Sequence, residues 1–257
     1  MDFNFKKPMH IFALLLFCVS FLIIFGSSLF TLFSAVETPT IPDEYKLIVN
    51  IIAVIAQFFV FIIFMILVPV IWYLLVNDLG IKQIKEKLLL SFKNIRVSVF
   101  WGFLAFLIIG GLNIYLSLAF QAIGFNASEL DNVQDIANLL LPVPMFLIVV
   151  FQPIGEEIFF RGFLLDKFDN FFQGKTKKSS LLTDYKIPAV LVTSFLFGIA
   201  HLSYGKLPNF VINFALGIVL GFVVIKTKSL YSSIVAHMLI NISALIIYFF
   251  FQDLAGI

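Results

Sequence analysis

An apolar segment of about 20 residues is long enough to cross the ~30 Å hydrocarbon core of a bilayer, and this chain is built almost entirely of such segments. Seven can be read, at roughly 11–36, 46–76, 97–124, 138–164, 187–203, 209–225 and 230–251. Composition agrees: 61% of the 257 residues are hydrophobic and 12% are charged, against about 45–50% and ~25% in soluble domains. So few charges cannot cover so much apolar surface in water. A soluble enzyme, a disordered tail and a nucleic-acid binder are excluded, the last also by a net charge of only +2. The single cysteine, Cys18, excludes an internal disulfide framework and a cysteine-based zinc site. The expected fold is all-α, a polytopic transmembrane helix bundle of seven to eight spans with the lipid bilayer as its surroundings.

Basic residues orient the bundle. With the N-terminus inside and seven crossings, all but Lys46 and Lys206 of the 17 lysines and arginines fall on one side, as the positive-inside rule requires. Lys6 and Lys7 before the first apolar run resemble the start of a signal peptide. The run is longer than a signal sequence's apolar region, and no small-residue cleavage site follows, so an uncleaved first span is expected. Residues 79–96, rich in lysine and leucine, predict an amphipathic helix on the inner leaflet or a topology signal with snorkelling lysines. Two parts are expected: N-terminal membrane helices over 1–137, including this segment, and a core over 138–257 that holds the informative residues.

Those residues are ionisable groups where lipid should be. The fourth span contains Gln152-Pro153-Ile154-Gly155-Glu156-Glu157-Ile158-Phe159-Phe160-Arg161-Gly162. Three uncompensated charges at mid-membrane would cost about 8–10 kcal/mol even on a mild scale. Glu157 and Arg161 are spaced to pair along one helix face, which leaves Glu156 turned elsewhere and in need of a partner. Pro153 removes a backbone hydrogen bond just before it. Gly155 and Gly162 invite close helix approach. The fifth span ends Phe197-Gly198-Ile199-Ala200-His201, and the seventh contains His237 and, on the same face, Asn241. Counted from the basic edge at 1.5 Å per residue, Glu156, His201, His237 and Asn241 lie about 12–21 Å deep. Residues at matched depth on three helices can converge on one polar site, toward the cytoplasmic half.

Such a site has hydrolytic chemistry available. A desolvated glutamate suits a general base for water, and a histidine and an asparagine on one face can donate to a developing oxyanion. Ser232 and Ser233 lie toward the start of the seventh span, and no serine stands out as a nucleophile. Alternatively, Glu156, His201 and His237 supply three ligands for a catalytic zinc. Two other classes fit buried Glu and His: a proton-coupled transporter, although the internal symmetry common in transporters is lacking, and a non-catalytic membrane scaffold or immunity factor that keeps the Glu157–Arg161 pair for packing.

Glu-Glu-x-x-x-Arg at 156–161, Phe-x-x-x-His at 197–201 and His-x-x-x-Asn at 237–241, in this order, resemble the CAAX-protease and bacteriocin-processing (CPBP, or ABI) family of intramembrane endopeptidases, which includes the type II CAAX prenyl proteases. The resemblance implies Glu156 as the base, His201 as a holder of the water, His237 and Asn241 as oxyanion donors, and supporting roles for Glu157 and Arg161. It leaves open a glutamic or a metal-dependent mechanism. The implied substrate is a membrane-associated protein or peptide, prenylated in some members and a peptide or bacteriocin in others. The compact chain, rich in Phe, Ile and Lys, points to a bacterial cytoplasmic membrane.

Overall fold

The computed structural model describes residues 3–33, 42–125, 142–173, 186–202 and 207–255. Ten α-helices are named here in chain order: α1 Pro8–Phe33, α2 Asp43–Val60, α3 Val68–Leu75, α4 Ile81–Lys87, α5 Ile95–Ala122, α6 Pro142–Glu157, α7 Leu165–Gln173, α8 Lys186–Ala200, α9 Leu207–Thr227 and α10 Leu230–Ala255. Two wider π-helical turns, Phe61–Leu67 and Ile158–Leu164, join α2 to α3 and α6 to α7. Among the described residues there is no strand. The chain is an all-α integral membrane bundle.

Within the described residues, each of the seven apolar stretches is largely helical. Among the described residues, four helices are long and apolar enough to cross a bilayer on their own: Pro8–Gly26, Ile95–Ala122, Leu207–Thr227 and Leu230–Phe250. Ile63–Leu75 and Lys186–Ala200 are apolar but shorter. The expected fifth span thus has only 15 residues, Lys186–Ala200, because its helical bonding ends in a turn at His201.

Packing follows residue size. Gly102 of α5 sits so close to α10 that an added Cβ would lie 2.7 Å from the Ser232 carbonyl oxygen. Gly217 of α9 would meet Ser194 of α8 at 2.9 Å. Without a hydrophobic drive between helices in lipid, such close backbone contact is what holds a bundle together. The outward sides of the helices remain apolar and exposed, as at Leu107, Ile108, Ile114 and Leu118 of α5. This is the reverse of a soluble protein and is what lipid contact requires.

The helix through Glu156 and Arg161 is the centre. Every residue from Glu156 to Leu165 is buried, so this helix is covered on all sides. Around it lies an aromatic network in which Phe163 meets Phe17, Trp72 and Tyr73, and Phe160 meets Phe25 and Phe197.

The segment 79–96 departs from its expected form. Of it, only Ile81–Lys87 and the first two residues of α5, Ile95 and Arg96, are helical. Leu89 and Asn94 have φ of 55° and 63°, the left-handed region that no right-handed helix can include. Ile84 and Leu88 are buried in the protein core instead of facing lipid. The Leu89 carbonyl accepts the N–H of Leu230, at the start of α10, an end group that would otherwise lack a partner. Gly162 makes room for this link: a Cβ there would lie 3.1 Å from Leu88.

Candidate active site

Pro153 sets the site up. It carries no N–H, so the Val149 carbonyl one turn earlier loses its helical donor. That carbonyl accepts instead from Nδ2 of Asn241 on α10, at 3.1 Å. A proline on one helix thereby fixes an asparagine on another. One of the two Asn241 amide hydrogens is used by this bond, and one remains.

Past the proline the helix widens into a π turn, closed where the Leu165 N–H reaches the Phe160 carbonyl five residues back. Such turns often occur at functional sites. Glu156 and Glu157 stand at its start. Glu157 is fully buried, and its Oε1 accepts from Arg161 Nη1 at 2.8 Å, the expected pairing along one face. The same oxygen accepts from Nδ1 of His237 at 3.0 Å. Glu157 therefore does more than neutralise Arg161: it holds a proton on Nδ1 of His237.

Glu156 turns away from that pair, as its position predicts. Its Oε1 accepts from Gln152 Nε2, one turn earlier, at 2.6 Å. Its Oε2 faces Nε2 of His237 at 3.8 Å. One imidazole thus stands between two carboxylates, bonded to one and facing the other.

Phe197 is the floor. Its ring lies 4.3 Å from the Arg161 guanidinium, a cation–π contact. It also lies 4.5 Å from the His201 ring and 5.7 Å from that of His237. The His201 Nδ1–H donates to the Phe197 carbonyl at 2.9 Å, which leaves Nε2 as the acceptor. His201 lies within electrostatic range of Glu156, His237 and Arg161. Glu156, Glu157, Arg161, His201 and His237 therefore form one cluster, and Asn241 is anchored beside it. Ser232 and Ser233 direct their hydroxyls to carbonyls of their own helix turn, Ser229 and Leu230.

Among the described residues, no three His, Cys, Asp or Glu side chains are placed to hold a metal ion together. Glu156, His201 and His237 all belong to that described set.

Sequence reasoning passed over Gln152 and the platform role of Phe197. Gln152 lies one helical turn before Glu156, the spacing at which side chains meet, so that signal was available. The stacking of Phe197 under Arg161 joins two helices and had no local signal.

Comparison with known proteins adds an independent line. Residues 138–243 match the family model for type II CAAX prenyl endopeptidase Rce1-like proteins. The matched region holds Glu156, Glu157, Arg161, His201, His237 and Asn241. A Bacillus subtilis (strain 168) protein named "Putative membrane peptidase YdiL" is 29% identical over 155 residues, 58% of this chain and 55% of that protein. The chain thus matches only about half the length of that relative. No solved structure matches.

Proposed function

We propose that this chain is an intramembrane endopeptidase in which Glu156 activates water for attack on a peptide carbonyl. The observation that carries the reading is the facing pair of Glu156 Oε2 and His237 Nε2, 3.8 Å apart, with each residue held from behind by Gln152 or Glu157. A water can hydrogen-bond to both atoms across that gap. Glu156 takes its proton as the oxygen attacks.

Charge balance says what His237 does. Two carboxylates and one guanidinium leave the cluster one negative charge from neutrality, a costly state where water is excluded. A proton on Nε2 of His237 restores neutrality and makes that nitrogen a donor to the developing oxyanion. The free amide hydrogen of Asn241 is the second donor. His201, with Nε2 as acceptor, orients the water. The proton on Glu156 then passes to the leaving amine. No step in this scheme runs through a metal.

The substrate class follows from the site's depth on buried helices: a membrane-associated protein or a peptide that enters the bundle. Peptide maturation and bacteriocin self-immunity both fit, in a bacterial cytoplasmic membrane with the site toward the cytoplasmic half.

Cleavage of a peptide library by purified protein tests this. Glu156→Gln lowers kcat by about 10²–10⁴-fold, the usual worth of a positioned base. Wild-type rates in that variant would sink the mechanism. Loss of activity with a chelator, restored by zinc, would replace it with the metal-dependent one. Substrate-driven proton uptake into liposomes without cleavage would point to a transporter.

A further inference from the structure

The second charged region of the molecule is a cavity of about 280 Å³ where the π turn Ile158–Leu164 passes into α7. Arg161 and Gly162 line its inner side. At its edge, Lys87 at the end of α4 pairs with Asp166 at 2.6 Å. Lys186 at the start of α8 and Lys228 just past α9 also line it, with Glu86 and Asp169.

These last four make no ion pair with another described residue. The carboxylate oxygen Oδ1 of Asp169 is buried without a hydrogen-bond partner among the described residues. Two ammonium groups and two carboxylates thus line one space without pairing with each other. Asp169 and Lys186 are half-buried, and Glu86 and Lys228 are exposed; the unpaired buried oxygen of Asp169 is the costly one, and a ligand with both signs of charge would satisfy it and engage the other three.

Size and position narrow the ligand. Pockets for drug-sized ligands start at about 300 Å³, so this one suits a compact polar group better than a length of polypeptide. The charges come from the ends of four helices, which is the end of the bundle. Charge in a membrane protein belongs at that level, where lipid headgroups lie.

We propose that this cavity binds a phosphoethanolamine group, with its phosphate between Lys186 and Lys228 and its ammonium at Asp169 and Glu86. The group is the headgroup of a zwitterionic phospholipid, and free phosphoethanolamine shares its chemistry. The site adjoins the hydrolytic cluster but does not depend on the peptidase reading. Because Arg161 lines the cavity and also bonds Glu157, the two regions share one side chain.

The full-length protein, stripped of lipid in detergent, is offered phosphatidylethanolamine, phosphatidylglycerol or phosphatidylcholine with identical acyl chains. Free phosphoethanolamine and inorganic phosphate are run as separate arms. Native mass spectrometry reads retention, and melting temperature reads stabilisation by mass action. Phosphatidylethanolamine is retained most and raises the melting temperature. In the double variant Lys186→Gln/Lys228→Gln its binding falls about tenfold or more, as expected for lost charge-assisted contacts. In Asp169→Asn the preference over phosphatidylglycerol disappears; this variant carries the test alone if the double variant loses its helical circular dichroism. Protection by free phosphoethanolamine supports the chemistry and assigns a soluble source, while protection by the lipid alone supports it and assigns the membrane. Equal retention of all three lipids overturns the proposal, as does phosphatidylethanolamine retention unchanged in both variants. Inorganic phosphate protecting as well as the lipid overturns the ammonium half.

Discussion

Two seven-residue turns, Phe61–Leu67 and Ile158–Leu164, share the same wide π winding, yet only the second carries ionisable side chains at its start and within it. In the first, Phe64, Met65 and Ile66 are half-buried and Leu67 is exposed. In the second every residue is buried. Both lie near a proline: Pro69 follows the first, and Pro153 precedes the second. Pro69 removes the i+4 donor of the Met65 carbonyl inside the first turn, whereas Pro153 frees Val149, before the second turn begins. What the turn does depends on its surroundings: lipid and packing for one, two carboxylates and an imidazole for the other. The two are linked where each has passed into α-helix, because the Tyr73 hydroxyl after the first donates to Asp166 Oδ2 after the second at 2.9 Å.

The contrast can be broken most directly by stability. Arg161→Leu strands buried Glu157, and removing one partner of a buried pair costs about 3–5 kcal/mol. Met65→Leu in the first turn is a near volume-conserving change expected to cost less than about 1.5 kcal/mol. Reversible unfolding in mixed micelles measures both, and equal losses would erase the distinction.

A double-mutant cycle sharpens it next. Pro153→Ala returns an N–H that competes with Asn241 for the Val149 carbonyl. Asn241→Ala is then less damaging in that background, with a coupling of about 0.5–3 kcal/mol. Pro69→Ala shows no coupling to Asn241→Ala, since Pro69 lies on the other turn. Additive effects in both pairs would remove the proposed link between proline and asparagine.

Gln152→Ala tests the support behind the base. It lowers kcat about tenfold, the worth of one hydrogen bond to a charged group, with KM little changed and the acidic limb of the pH–rate profile displaced. A uniform loss of folded protein with an unmoved profile would make Gln152 merely structural.

A pH-dependent effect belongs to Lys167, outside the membrane span. Burial pushes its ammonium down to about 8 from the usual 10.5, against the opposing pull of Asp166. Between those values the unfolded chain holds a proton that the folded one has released. Stability therefore rises with pH across that window and is flat, at its lower level, below about 8. Lys167→Gln flattens the slope, which melting curves from pH 7 to 11 would show.

Much of the site was legible because membrane burial makes charge expensive. Glu156, Glu157 and Arg161 stood out against their apolar background, and the four-residue spacing of Glu157 and Arg161 forecast their contact. The same reasoning left Glu156 with an unnamed partner, now Gln152, at the same spacing. The helix predicted over 79–96 shrank to Ile81–Lys87 because Leu88 and Leu89 found buried protein partners, and an amphipathic pattern cannot distinguish a protein surface from a lipid one. His237 was read as an oxyanion donor with no account of what would orient it.

The sequence by itself determined the solvent, the helical class and the set of ionisable groups that had to meet, because the free-energy cost of a lone charge in hydrocarbon permits few arrangements. Only the tertiary structure decided who meets whom: Glu157 and not Glu156 bonded to His237, Asn241 placed by a carbonyl that Pro153 left free, Phe197 beneath Arg161. Those choices depend on contacts between helices some 36 to 92 residues apart in the chain, and no local period or propensity encodes them.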